Sequence, residues 1–257
     1  MKRILLMAVM AITMFNVGCS KDDLNPDGKT YLLKKLTNKG ANYVVEYSYD
    51  DKNRVTLVNQ DGVEGKYTYK FTYDANNKLI KEETTYPNMV QPSPNPIGTD
   101  TYLFTYAENS ITINNQEGST VATLSLNDKN QVISRLQKSL FSRWNESDLT
   151  EYGYDEKGNI ISRKISRIID NTIVSVRSSE QYQYDDKNHP LSKIGATYLD
   201  WISDDSRINN SVKINSVNPI DDSRNSKNYY YEYNKAGFPT KMSNGSGFEQ
   251  TFEYIDK

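Results

Sequence analysis

"GKYTYKFTYDANN", residues 65–77, decides the fold of this chain. Tyr67, Tyr69, Phe71 and Tyr73 alternate with Lys66, Thr68, Lys70 and Thr72, a strict period of two, which predicts a strand with one buried and one wet face. The strand runs into Asp74, followed three residues later by Asn77. An Asp or Asn opening a turn accepts backbone N–H bonds within it, and Asn or Gly tolerates the left-handed position that closes it. A type I turn followed by a left-handed residue joins two antiparallel strands.

The same word recurs. "YSYDDKN" at 47–53, "FTYDANN" at 71–77, "LSLNDKN" at 124–130, "YGYDEKG" at 152–158, "YQYDDKN" at 182–188 and "YEYNKAG" at 231–237 pair Asp50, Asp74, Asn127, Asp155, Asp185 and Asn234 with Asn53, Asn77, Asn130, Gly158, Asn188 and Gly237. Successive anchors lie 24, 53, 28, 30 and 49 residues apart, the signature of a repeat unit of roughly 25 residues with worn copies between. "FTYAENSITI", 104–113, reads as one of those. After each turn an apolar or proline-led segment resumes: "RVTLV" (54–58), "KLI" (78–80), "QVI" (131–133), "NII" (159–161) and "HPL" (189–191). Pro190 and Pro239 share one offset from the turn and predict a strand start, an edge or a bulge, because proline cannot donate to a ladder.

The acids of the word invite a calcium reading, which the pattern refuses. A calcium loop needs oxygen ligands at alternating positions and a later Glu. Here the position after the anchor is Asp51, Ala75, Asp128, Glu156, Asp186 or Lys235, and the next residue is Lys in most copies, which repels a cation. The acids are therefore read as corners, with no metal.

Twenty tyrosines against seven phenylalanines is the strong compositional bias, and tyrosine suits a half-buried pleated surface. A formal net charge of −2 with interspersed signs argues against a nucleic-acid partner. The runs between turns count to roughly 15 strands, more than an open twisted sheet sustains without curling. The prediction is an all-β, antiparallel meander curled into a barrel-like or strongly bent sheet. It is not transmembrane, because "SVRSSEQYQY", 175–184, is polar where a membrane barrel carries an apolar outer band.

The repeated word resembles the YD repeat of Rhs-type proteins. Together with the N-terminus it resembles a Bacteroidota family of surface lipoproteins of unknown function with a porin-like β fold, over residues 31–257. That resemblance brings no catalytic residues and no cofactor.

Residues 1–18 read as a signal peptide: Lys2 and Arg3, an apolar run from Ile4 to Phe15, then Gly18. The run is roughly 12 residues, short of the ~20 that span a bilayer. Cys19, the only cysteine, excludes an internal disulfide, and "NVGC" (16–19) resembles a lipobox, which implies that Cys19 is acylated, a palmitate-type modification. "CSKDD" resembles the Bacteroidota surface-export signal, Ser20, Lys21, Asp22 and Asp23 following the lipidated residue. The implied location is the outer membrane, facing outward and held by two or more acyl chains. Residues 19–30 form anchor, export signal and tether, and 31–257 one repeat-built β domain.

Two stretches break the rhythm, 86–100 with four prolines and 199–227. Trp144 and Trp201, flanked by polar and acidic residues, are candidates for stacking on a sugar ring, or else plugs of the curled sheet. His189, the only histidine, is read as a solvent-exposed turn residue, which leaves no His-based triad or metal site. No nucleophile elbow, zinc helix or phosphate loop occurs. The expectation is a lipid-anchored surface protein that binds or scaffolds without catalysis, its partner a polysaccharide or another surface protein. The alternatives are a glycan-binding lipoprotein and a glycoside hydrolase drawing two carboxylates from Asp200, Asp204, Asp205, Asp221 and Asp222.

Overall fold

The word at 65–77 builds one strand, its corner and the start of the next. The computed structural model describes residues 28–63, 65–87, 97–138, 146–192, 208–219 and 221–257. In chain order the strands are β1 (Tyr31–Asn38), β2 (Tyr43–Tyr49), β3 (Val55–Gly62), β4 (Gly65–Tyr73), β5 (Leu79–Pro87), β6 (Ile97–Ala107), β7 (Ser110–Asn115), β8 (Thr120–Leu126) and β9 (Val132–Lys138). They continue as β10 (Glu146–Tyr154), β11 (Ile160–Ile169), β12 (Thr172–Asn188), β13 (Asn209–Asn218), β14 (Ser223–Asn228), β15 (Tyr230–Tyr233), β16 (Pro239–Ser243) and β17 (Glu249–Asp256).

All 17 belong to one antiparallel sheet. Consecutive strands pair down the chain, and β1 pairs both with β2 and with β17, Tyr31 facing Asp256 and Asn38 facing Gln250. One joint is made by the chain itself. β14 ladders onto β13 and β15 onto β16, and the backbone passes between them through Tyr229, whose N–H donates to the carbonyl of Val212 at 2.9 Å. The meander is thereby nearly closed into a barrel, as the strand count required.

The period of two decides which side chains enter. On β4, Phe71 is buried and Tyr67, Tyr69 and Tyr73 are half-buried, whereas Lys66, Lys70 and Thr72 are exposed. Leu33, Val55, Val58, Phe104, Ile111, Ile113, Val132, Ile160 and Phe252 join Phe71 in a continuous core on the inner face. The outer face carries Lys, Thr, Gln, Glu and Ser, with ion pairs such as Lys164–Glu151 at 3.1 Å.

The corners repeat one geometry. At Asp50 the backbone N–H donates to Arg54 O and Asn53 donates back to Asp50 O, while the Asp50 carboxylate accepts from the N–H groups of Lys52 and Arg54. Asp74, Asn127, Asp155 and Asn234 make the same bonds. Asn53, Asn77, Asn130, Gly158 and Gly237 close these turns with φ between 58° and 92°. Asn115 and Asn244 build the same corner at the opposite end of the barrel, without the tyrosine word.

Each tyrosine word also carries a β-bulge. The register slips at Tyr49, Tyr73, Leu126, Tyr154 and Tyr233, so that Thr56, Ile80, Ile133, Ile161 and Thr240 have no opposite residue. The extra residue turns outward. That displacement accounts for three of the exposed aliphatic side chains, Ile80 (38% exposed), Ile133 (39%) and Ile161 (42%). The residue before each bulge, Val55, Leu79, Val132, Ile160 or Pro239, is buried.

One pairing of the word fails to turn. The spacing of Asp185 and Asn188 predicts a corner, but β12 runs straight through it to Asn188, whose φ is not left-handed. Asn188 N–H donates instead to Gly237 O at 3.1 Å, on the neighbouring corner. The reason is the long insertion that follows: the chain leaves at His189 and returns at Ile208, joined there by the bond from His189 N to Ile208 O at 2.9 Å. A two-strand corner has no role where the connection is not short.

Candidate functional site

At the failed corner His189, Pro190 and Leu191 line an interior cavity. Pro190 is buried and Leu191 packs against the core, so this segment dips into the barrel mouth. The cavity behind it has a volume of about 530 Å³, within the ~300–1,000 Å³ of small-molecule sites. Its walls are the inner faces of β1 to β4, β13 and β15 to β17, with Leu33, Leu36, Val45, Val58, Ile214, Met242 and Phe252 supplying apolar surface. Tyr43, Tyr47, Tyr69, Tyr229 and Tyr231 supply aromatic surface.

The polar groups are few and held. Gln250 Nε2 donates to Tyr43 Oη at 3.0 Å. His189 Nδ1 accepts from Leu191 N–H at 3.2 Å, which in the neutral ring places the proton on Nε2. Histidine 189 is thus part of the cavity wall and only partly exposed, a correction to its reading as a solvent-exposed turn residue.

Asp185 organises the wall beside it. Its carboxylate accepts from the N–H groups of Lys187 and Asn210, at 3.0 and 3.1 Å, and from the hydroxyl of Tyr233. Burial, reinforced by that bond to Asp185, pushes the Tyr233 phenol far above its ordinary value. Asn210 Nδ2 faces three acceptors, the two oxygens of Asp185 at 3.4 and 3.3 Å and Asn188 O at 3.0 Å. These fix the amide's orientation, and Oδ1 is left as the acceptor with no partner. Ser211 Oγ is likewise buried and unpartnered, although its carbonyl accepts from Tyr231 Oη at 2.9 Å. A second amide bridge ties this wall to the fourth corner, Asn159 and Asn209 exchanging bonds at 3.0 and 2.9 Å.

A buried acid lies near the cavity's far wall. Glu82 is fully buried, Oε1 accepting from Thr84 Oγ1 at 3.1 Å and Oε2 without a partner. Burial raises its carboxyl to about 7, the Thr84 bond opposing. Its charge acts on Tyr69, whose phenol is raised by burial first and Glu82 second.

The other residues singled out by sequence fall elsewhere. Asp50 and Arg54 pair within their corner: burial opposes ionisation of Asp50, and the Arg54 side-chain and backbone bonds and the Lys52 backbone bond outweigh it, holding the carboxyl below its ordinary value. Asp221 and Asp222 are exposed in the β13–β14 turn, Asp221 accepting from Ser223 N–H at 2.9 Å, and they do not meet the cavity. Among the described residues no three of His, Cys, Asp or Glu gather as a metal-binding group. Cys19, Ser20, Lys21, Asp22, Asp23, Trp144, Trp201, Asp200, Asp204 and Asp205 lie outside the described residues. Asn210 and Ser211 were not visible in the sequence, where "INNSVKI" (208–214) is an unremarked polar strand start.

No protein-family model matches this chain, and no curated protein is significantly similar to it. Among solved structures, the chain is similar to a porin-like protein from Bacteroides vulgatus, with TM-score 0.45 and 12% identity over 88% of this chain and 99% of that one. It is also similar to a porin-like protein from Bacteroides uniformis, with TM-score 0.39 and 10% identity over 88% of this chain and 98% of the other.

Proposed function

We propose that this chain is a lipid-anchored lipoprotein on the outer face of the outer membrane, a barrel of degenerate YD-like repeats that binds without catalysis. It belongs on this reading with the Bacteroidota surface lipoproteins that its N-terminus and its tyrosine word resemble. The anchor is Cys19, and Ser20 to Asp23 direct the export. The single observation that carries binding is the cavity, an apolar and tyrosine-lined space of about 530 Å³. Apolar and aromatic walls stabilise a bound molecule in proportion to the apolar area it removes from water.

The test is a melting screen of residues 24–257 against small molecules and soluble polysaccharides. A molecule at ~100 times its Kd adds about 2.7 kcal/mol to the folded state and raises Tm. The shift is expected from a small molecule and lost in Met242→Trp, which fills the cavity. Stabilisation by polysaccharide that Met242→Trp leaves intact would move the binding site to the outer surface.

A further inference from the structure

The described chain enters the barrel and leaves it at the same end. Strands β3, β5, β9, β11 and β16 start just after the tyrosine corners, and β1 starts and β17 finishes there too, Thr30 and Lys257 exchanging backbone bonds at 2.9 and 3.0 Å beyond the Tyr31–Asp256 pair. We infer that this corner rim is the end the barrel turns to the membrane, its outward isoleucines seated in the headgroup layer of the leaflet that holds the anchor. The inference rests on the Cys19 anchor proposed above and adds how the barrel stands on it.

Three observations carry it. Only residues 20–30 separate Cys19 from β1, and a chain of that length spans at most ~40 Å, so an anchored barrel is held by its corner rim. That rim carries aliphatic side chains on its outer face: Ile80, Ile133 and Ile161, displaced by the bulges, and Ile208 beside the Gly158 corner, all 38 to 45% exposed. Ile133, Ile161 and Ile208 stand at the starts of β9, β11 and β13, and β9 lies across the barrel from β1, so anchor and isoleucine arc bear on opposite sides of one rim. The corners beside the arc pair exposed Lys129 with Asp128 and exposed Lys157 with Glu156; their charges offset one another, which leaves the contact to the apolar side chains. The opposite end offers Val63 on the β3–β4 hairpin and Ile173 and Val174 on the β11–β12 hairpin, but these tips stand on opposite sides of the barrel, at the end away from Thr30.

The test supplies the anchor chemically. Residues 19–257 are coupled through the one thiol, Cys19, to a maleimide phospholipid in phosphatidylcholine vesicles that contain acyl-chain-brominated lipid. Ile133→Trp, Ile161→Trp and, at the other end, Val63→Trp report depth by bromine quenching, each corrected for the parent chain's own tryptophans and checked by its melting curve. Quenching at positions 133 and 161 is expected to exceed that at 63 by roughly twofold or more, and to persist in about 0.5 M NaCl, where charge contacts are screened. Ile161→Lys with Ile208→Lys, read through Ile133→Trp, should lower it about twofold.

Equal quenching at the two ends, or more at Val63, overturns the lipid contact and gives the arc to a protein partner. A difference that vanishes in salt, or quenching undiminished by the two lysines, overturns its apolar basis. Because coupling replaces acylation, these results judge the seating alone, whereas the fractionation of Cys19→Ala in cells judges the anchor. A barrel that seats on vesicles while Cys19→Ala stays in the membrane fraction overturns the anchor and not the rim contact.

Discussion

The hydroxyl of Tyr73 donates to the backbone carbonyl of Val55 at 2.8 Å, from the end of β4 to the first residue of β3. The β3–β4 ladder begins only at Leu57, so the Val55 carbonyl has no ladder partner on that side, and the phenol reaches it where the strands splay. The relation recurs: Tyr106 to Leu79, Tyr154 to Val132 and Tyr254 to Pro239 at 2.7 to 2.8 Å, and Tyr184 to Ile160 and Tyr49 to Leu33. In each of these ladders pairing starts beyond the accepting residue, at Lys81, Ser134, Lys241, Ser162 and Lys35. In four of the six words the third residue, Tyr49, Tyr73, Tyr154 or Tyr184, is a stitch between neighbouring hairpins, whereas Leu126 has no hydroxyl and Tyr233 donates to Asp185; the stitch gives tyrosine a role that phenylalanine cannot fill. Buried phenols follow: burial pushes Tyr73 up to about 12, with Arg54 opposing.

Tyr73→Phe removes the stitch and keeps the ring. It is expected to cost about 1 kcal/mol in urea unfolding, the typical net worth of one such bond. Tyr154→Phe should cost a similar amount, and the pair should add, because the two stitches share no partner. Tyr67→Phe, on the same strand and face but outside the stitch, is the control and should change stability by less than about 0.5 kcal/mol. Equal effects at Tyr73 and Tyr67 would leave the stitch without energetic weight.

The word's local chemistry was legible, and its exceptions were not. Asp74 and Asp185 stand in nearly identical words, "FTYDANN" and "YQYDDKN", yet the first bonds its own turn and the second bonds Asn210 and Tyr233. What separates them is whether the next strand follows at once, and no residue inside the word records that. The cavity was hidden for the same reason. It is lined from β1, β13 and β17, which meet only when the ring closes, and Asn210 becomes an acceptor only because Asp185 is 25 residues away in the chain and adjacent in space. The strand β14, "SRNSKN", has no apolar alternation at all and is held by its ladder to β13.

That contrast is measurable. Asp74→Ala loses corner bonds to exposed N–H groups, which water replaces, and should cost about 1 kcal/mol. Asp185→Ala leaves the Asn210 backbone N–H and the Tyr233 hydroxyl without their acceptor in a part-buried wall, and should cost about 3 kcal/mol. Matching losses for the two alanines, read in urea unfolding, would return Asp185 to an ordinary corner.

Anchoring depends on Cys19. Cys19→Ala, expressed in a Gram-negative host that processes the signal, should move the protein from the membrane fraction to the soluble fraction, since the acyl chains supply ~0.8 kcal/mol per buried methylene. Lys21→Ala with Asp22→Ala and Asp23→Ala should keep it in the membrane but protect it from protease added to intact cells. A Cys19→Ala protein that stays tightly bound to membranes would assign attachment to the barrel's own surface.

Glu82 makes stability depend on pH in a defined direction. Its folded carboxyl is raised from 4.5 to about 7 by burial, the Thr84 bond opposing. Below pH ~4.5 the folded and unfolded states both hold the proton, and the group is neutral in its buried site. Between ~4.5 and ~7 the folded state keeps a proton that the unfolded state has released, so stability falls as pH rises. Above ~7 the full cost is present, about 3 kcal/mol for a shift of this size. Tyr69 and Tyr102, which feel this charge, keep their protons throughout that window, both being raised. Glu82→Gln is uncharged at every pH, so it should match the parent protein near pH 4.5 and exceed it increasingly toward pH 8. Melting curves of the two proteins at pH 4.5, 6 and 8 measure the gap, and a gap that stays constant across that range would mean the carboxylate finds a partner or water when it ionises.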